Sequence, residues 1–175
     1  MGGRKQSKTK LNNTLLFVIK LLNDNNINSW FIAYGTLLGI IRENSCIDND
    51  DDVDIITDKK NYDKIKKLLI DKGLTIEYGH NINKSRSILK TVENDEYASV
   101  DFYMATPDGK GNFRDTWERV VWSNCYNDKK ELIKRIWNDN TLYLPFNYEQ
   151  KLVNRYGPNW RTPQNMKLIA RREII

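Results

Sequence analysis

The chain has 175 residues, 39% hydrophobic and 29% charged, which suits one well-packed domain and excludes a disordered chain. Its net charge of +5 fits a solvated basic surface or attraction to an anionic ligand such as a nucleotide, and no basic, aromatic-interleaved stripe marks a nucleic-acid binder. No apolar run reaches the length of a membrane span and no signal peptide opens the chain, so the expectation is a soluble, cytoplasmic protein whose Cys46 and Cys125 are free thiols.

Residues 1–8 carry Arg4, Lys5 and Lys8 and no acid, and read as a flexible basic tail. Apolar residues recur at Leu11, Leu15, Val18 and Leu22, which predicts a helix over 8–27 ended by Asn25, Asn26 and Asn28. Residues 29–34 (SWFIAY) suit a buried strand. Gly35-Thr36 breaks it and opens a short helix over 36–42, with Thr36 near its N-cap. Residues 52–57 (DVDIIT) alternate carboxylate and aliphatic, the period of a strand. A helix is predicted over 60–72, closed by Gly73, and strands over 74–78, 87–92 and 98–104.

Pro107-Asp108-Gly109 signals a turn, while the aromatic-rich stretch 113–122 fits no pattern cleanly. Asn138-Asp139-Asn140 reads as a turn between two short strands, the second over 141–144. A helix over 147–156 is stopped by Gly157-Pro158. With no internal repeat and no linker, residues 1–175 read as one α+β domain with a mixed sheet. Asparagine is unusually frequent, with 21 residues, and reads as the bias of an AT-rich genome.

The single histidine, His80, reads as an exposed loop or strand-end residue, which leaves Ser-His-Asp, Cys-His and His-metal chemistry without support. Carboxylates are the alternative, and they are concentrated. Asp48, Asp50, Asp51, Asp52 and Asp54 fall within seven residues. Such a run is usually a solvated acidic loop, but two features set this one apart.

Asp52 and Asp54 are two apart in a strand, so their carboxylates share one side, with Val53 and Ile55 buried on the other. Paired hard oxygen ligands suit Mg²⁺ or Mn²⁺ together with substrate phosphates. Gly35-Thr36 lies shortly before, where a glycine admits a phosphate to the backbone and a helix start holds it. Asp101, mid-strand among apolar neighbours, is the natural third ligand or the base for an acceptor hydroxyl. Arg42 is placed to clamp a phosphate or to pair with the acidic loop.

At this point two stretches resemble a known family. Residues 33–42 (AYGTLLGIIR) with 47–55 (IDNDDDVDI) closely resemble the LicD family, which includes fukutin and the fukutin-related protein. Leu144-Pro145 and the later Tyr156-Gly157-Pro158-Asn159-Trp160-Arg161-Thr162-Pro163 resemble its closing Tyr-Gly-x-x-Trp-x-x-Pro segment. Asn49 departs from the pattern, which has an aromatic residue there.

The resemblance implies a nucleotidyltransferase-like mixed β-sheet core flanked by helices. It implies transfer of a phospho-alcohol, such as phosphocholine or ribitol phosphate, from a CDP-linked donor to a glycan acceptor. Asp52, Asp54 and Asp101 would hold Mg²⁺ or Mn²⁺, and Gly35, Thr36, Arg42, Asp50 and Asp51 would face the donor. The same carboxylates would equally serve a nucleotidyltransferase that moves an NMP from an NTP, releasing pyrophosphate rather than CMP.

Overall fold

The computed structural model describes residues 3–77, 86–163 and 169–175; His80 and the end of the strand expected over 74–78 lie outside them. Its elements are α1 (Lys8–Asp24), β1 (Trp30–Ile32), α2 (Tyr34–Glu43), β2 (Asp52–Asp58), α3 (Tyr62–Asp71), β3 (Ile88–Lys90), β4 (Ser99–Pro107), β5 (Phe113–Asp115), β6 (Val120–Trp122), β7 (Ile133–Trp137), β8 (Asn140–Leu144), α4 (Tyr148–Tyr156) and β9 (Glu173–Ile174). This is the α+β architecture expected, with a mixed sheet ordered β1-β2-β4-β5-β6-β9 and β3 also paired to β4. The β2/β4 and β6/β9 pairs are parallel and the others antiparallel. β7 and β8 form a separate hairpin.

The helix α1 forms because Leu11, Leu15, Val18, Ile19 and Leu22 repeat at helical spacing, and all five are fully buried in the core. Ser7 caps it by accepting from the Lys10 N–H at 3.2 Å. β1 is three residues of bulky apolar side chain, all at 0% exposure. Phe31 meets Phe113 and Trp122 edge-on, at centroid distances of 5.2 and 5.6 Å. The ambiguous stretch 113–122 thereby resolves into the β5–β6 hairpin, whose inward residues Phe113 and Trp122 pair across strands. Three-residue strands are too short to display an alternation in the sequence.

Several boundaries differ from the expectations. The strand expected over 74–78 is, among described residues, a single bridge between Ile76 and Thr91. β2 is buried on both faces beyond Asp52, its carboxylate-bearing side as well as its aliphatic one. The described part of the segment read as a flexible basic tail makes contacts with the acidic loop. Gln6 is buried, its N–H donating to the Asp50 carbonyl at 2.8 Å and its carbonyl accepting from the Asn49 N–H at 3.0 Å. The Gly3 N–H also meets the Asp51 carboxylate. Amides and acids across the two segments satisfy one another, which local composition does not reveal.

The asparagines have a structural use. Of eleven described non-glycine residues with positive φ, six are asparagine: Asn26, Asn44, Asn49, Asn124, Asn138 and Asn147. Asparagine tolerates left-handed backbone better than other L-residues with a side chain of its size. Asn138-Asp139, both left-handed, form the two-residue turn between β7 and β8. Asn49 sits at φ 66°, in the acidic loop. No described helix is long and apolar enough to cross a membrane.

Gly39, inside α2, shows why the Leu-Leu-Gly segment carries a helix-weakening residue. A Cβ there would stand 2.5 Å from the Ser45 carbonyl oxygen and 3.0 Å from the Ile47 nitrogen. The backbone leading into the acidic loop therefore packs directly on the helix. Alanine would gain about 1 kcal/mol of helix propensity and lose roughly 1–3 kcal/mol to overpacking. Gly39→Ala is expected to lower the melting temperature by a few degrees. A rise in the melting temperature would show that the loop does not depend on this close approach.

Candidate active site

The parallel pairing of β2 with β4 creates the site. Its register sets Asp54 opposite Asp101 and Asp52 opposite Ser99, at the end of the sheet where both strands begin. One oxygen from each of Asp52, Asp54 and Asp101 lies within 4.8 Å of the others. Asp54 and Asp101 are 5% exposed, and Asp52 is half-buried. Asp50, Asp51 and Asp52 form a second, overlapping set at the mouth.

The turn from β1 into α2 is built around Asp54. The Gly35 N–H donates to Asp54 Oδ2 at 3.1 Å, from the first turn of α2. Amides at a helix start favour a carboxylate. A Cβ on Gly35 would stand 2.7 Å from Asp50 Oδ2, so any side chain here would displace that carboxylate. Thr36 is not the N-cap expected, since α2 begins two residues earlier with Ala33 as its cap. It is 2% exposed, and its hydroxyl accepts from the Asp54 N–H at 2.8 Å, locking the helix to the strand.

Arg42 is not brought to the carboxylates. It lies at the far end of α2, about 10 Å along the axis from Gly35, and its guanidinium donates to Glu43 at 2.7 Å. Asp48 is also drawn away, accepting from the Lys8 N–H at the start of α1 at 2.8 Å.

Other residues around the cluster had no signal in the sequence. Tyr103, on β4 two residues after Asp101, donates its hydroxyl to Asp54 Oδ1 at 3.0 Å. Lys90, opposite Asp101 on β3, places its ammonium 3.2 Å from that carboxylate. Tyr34 adopts left-handed backbone at φ 45°, a strained choice for a bulky residue, immediately before Gly35. Its ring packs on Tyr103 at 4.8 Å and carries the Arg155 guanidinium at 4.3 Å. Its hydroxyl donates to fully buried Asp115 at 2.5 Å. The strand registers could have suggested Lys90. The Tyr34–Asp115 pair is 81 residues apart in sequence, and only the fold brings it together.

Three carboxylates here face one ammonium, that of Lys90. Burial pushes the carboxyls of Asp54 and Asp52 well above the usual carboxylate range, and mutual repulsion, with Asp101 acting on both, pushes them further. Burial also raises Asp101, against the lowering pull of Lys90. Asp101 Oδ1 is buried and stands 3.2 Å from the Lys90 ammonium without accepting a hydrogen bond. One ammonium against three carboxylates whose oxygens lie within 4.8 Å of one another leaves an excess of negative charge, which fits a hard divalent cation. The acidic cluster can therefore bind a metal. A divalent ion there would polarise phosphate oxygens and neutralise charge.

Stability should follow pH accordingly. A carboxyl raised in the folded state binds more protons folded than unfolded between its two pKa values, so folding is progressively disfavoured as pH rises through that window. Metal-free protein is expected to lose several degrees of melting temperature between pH 5 and pH 8. Mg²⁺ or Mn²⁺ should restore it, with a larger effect at pH 8. Asp52→Asn should flatten the pH slope and raise the metal-free melting temperature. A metal-free melting temperature that rises from pH 5 to pH 8 would contradict the carboxylate assignment.

A search of curated proteins finds no match. Among solved structures, the chain is similar to the lincosamide antibiotic adenylyltransferase LnuA in its lincomycin-bound form, at 14% identity, 81% coverage of both chains and a TM-score of 0.56. A Thermotoga maritima protein provisionally assigned as a nucleotidyltransferase aligns at 13% identity, 83% coverage of both chains and a TM-score of 0.49. At this identity the LnuA likeness establishes the fold, a nucleotidyltransferase one. Residues 26–152 match the family described as the LicD/FKTN/FKRP nucleotidyltransferase domain. That match spans well over half of the sequence and contains all three paired carboxylates, so the chain belongs to the LicD family and is a transferase.

Proposed function

We propose that this transferase moves a phospho-alcohol, such as phosphocholine or ribitol phosphate, from a CDP-activated donor to a glycan hydroxyl, and that it depends on Mg²⁺ or Mn²⁺. The observation that carries the reading is the in-register placement of Asp54 beside Asp101, with Asp52 completing a set whose oxygens lie within 4.8 Å. Three carboxylates converging at one end of a parallel strand pair suit a metal-bound phosphate far better than a nucleophile or a histidine base.

In this reading Asp52, Asp54 and Asp101 hold the metal, and Asp50 and Asp51 at the mouth face the donor. Gly35 leaves room where a side chain would strike Asp50. Thr36 serves by fixing Asp54 through its buried hydroxyl rather than by meeting a phosphate. Arg42, paired with Glu43, has to exchange that partner to reach the donor.

The acceptor hydroxyl forms a new bond to the phosphorus that carries the alcohol. The bond from that phosphorus to the bridging oxygen breaks, CMP leaves with the electron pair, and the hydroxyl proton passes to a carboxylate. Asp101 either receives that proton or completes the ligand set; Lys90 beside it balances its charge while it is ionised. Residues 1–175 act as one catalytic unit.

The test is product analysis with CDP-choline or CDP-ribitol, a glycan acceptor and Mg²⁺. CMP release is expected, and Asp52→Asn or Asp54→Asn should lower turnover at least about a hundredfold, as loss of roughly 3 kcal/mol of charge stabilisation requires. Both variants should retain the native circular dichroism spectrum. Pyrophosphate release from an NTP, with no CMP from any CDP-alcohol, would instead establish nucleotidyl transfer. Near-full activity in either variant would refute the metal assignment.

A further inference from the structure

The end of the sheet that carries the carboxylates also carries arginine. β5 runs antiparallel to β4, so it finishes toward the end where β4 begins, and the turn over 116–119 projects there. β6 starts at the same end, and β9 runs parallel to it, so residues 169–172 approach from that side too. The last turn of α4 is tied to them. The Arg155 carbonyl accepts from the Ile169 N–H, and the Asn154 carbonyl from Arg171 Nε, each at 2.9 Å.

These segments enclose a cleft of about 590 Å³. Four of its eight lining residues are Arg119, Arg155, Arg171 and Arg172, against one acid, Glu118. The arginine salt bridges among the described residues are Arg42–Glu43 and Arg161–Glu149, so none of the four cleft arginines is paired with a carboxylate. Arg119 is held in left-handed backbone at φ 60°, which a long side chain adopts only when its surroundings impose it. Arg155 Nε is buried and has no hydrogen-bond partner. The same guanidinium lies over the Tyr34 ring at 4.3 Å, an arrangement that keeps its Nε–H in the plane, able to donate.

Four guanidiniums in one cleft without a carboxylate partner repel one another, and the orphaned buried donor on Arg155 costs free energy. A tetrahedral oxyanion relieves both, because each fork can donate two parallel hydrogen bonds to it. The volume fits a small-molecule group rather than an extended polymer. The cleft also communicates with the carboxylates: Arg155 rests on Tyr34, which directly precedes Gly35, the donor to Asp54.

We propose that this cleft binds a phosphate group carried by a substrate, separate from the phosphate gripped at the carboxylates. The chemistry is shared by two sources, the far phosphate of the donor nucleotide and a phosphate already present on the acceptor. Naming a substrate as the source rests on the transferase reading above; the existence of the phosphate site does not.

Titration calorimetry in EDTA tests it, because phosphate binding through a metal is then removed. Inorganic pyrophosphate and glucose 6-phosphate serve as probes. Wild-type protein is expected to bind at least one of them. Arg171→Gln combined with Arg172→Gln should weaken that binding at least tenfold, as should Arg155→Lys. Arg171 and Arg172 are exposed, so the double variant should keep the native fold. Competition of the probe by CDP would assign the cleft to the donor, and undiminished binding of glucose 6-phosphate at saturating CDP would assign it to the acceptor; both outcomes support the site. Absence of binding in EDTA, or equal affinity in wild type and variants, would overturn it. A protein that binds phosphate in EDTA but releases no CMP from CDP-alcohols would retain the cleft and lose the phospho-alcohol reading.

Discussion

Carboxylates repel one another, and burial makes the repulsion worse because water no longer screens it. The protein nevertheless holds Asp52, Asp54 and Asp101 with oxygens inside 4.8 Å at the end of a central strand pair. Much of the surrounding structure can be understood as what makes that arrangement tolerable. The Gly35 amide in the first turn of α2 and the Tyr103 hydroxyl donate to Asp54, and the Lys90 ammonium stands against Asp101. These partners are neutral or single-charged, so they offset the repulsion only in part. The remainder pushes all three carboxyls upward, and a divalent cation would relieve it.

The same constraint explains features that would otherwise be costs. Tyr34 accepts a left-handed backbone because the turn it makes aims Gly35 at Asp54. That conformation is secured at a distance by Asp115, by the Trp122 indole at 3.3 Å and by Arg155 above the ring. Burial raises Asp115 to about 6, against the lowering effect of its bond from Tyr34, so its bonds compensate only partly for its desolvation. Gly39 weakens its helix so that the acidic loop can lie directly upon it. The N-terminal segment then covers that loop from outside through Gln6 and Gly3.

The acidic run contains five aspartates with different destinations. Asp48 serves the start of α1, Asp51 meets Gly3, and Asp50 accepts from the Asp51 N–H while crowding Gly35. Only Asp52 and Asp54 enter the paired set with Asp101. The strand alternation that separates Asp52 and Asp54 by one residue is what distinguishes them from their neighbours.

The sequence by itself determined the α+β class, the helices α1, α2 and α4, the strand β2, the Asn138-Asp139 turn and the family. These follow from local periodicity, turn chemistry and contiguous motifs, all written within a few residues of each other. It also singled out Asp101 as chemically odd, because a carboxylate mid-strand among apolar residues conflicts with its local propensity. Tertiary structure alone decided that Asp54 and Asp101, 47 residues apart, lie in one register and that Arg42 points elsewhere. It alone turned residues 113–122 into a core hairpin and gathered Arg119, Arg155, Arg171 and Arg172 around one cleft. Such contacts depend on which strands pair and in which direction. That choice is fixed by burial summed over the whole core, and no local stretch of sequence contains it.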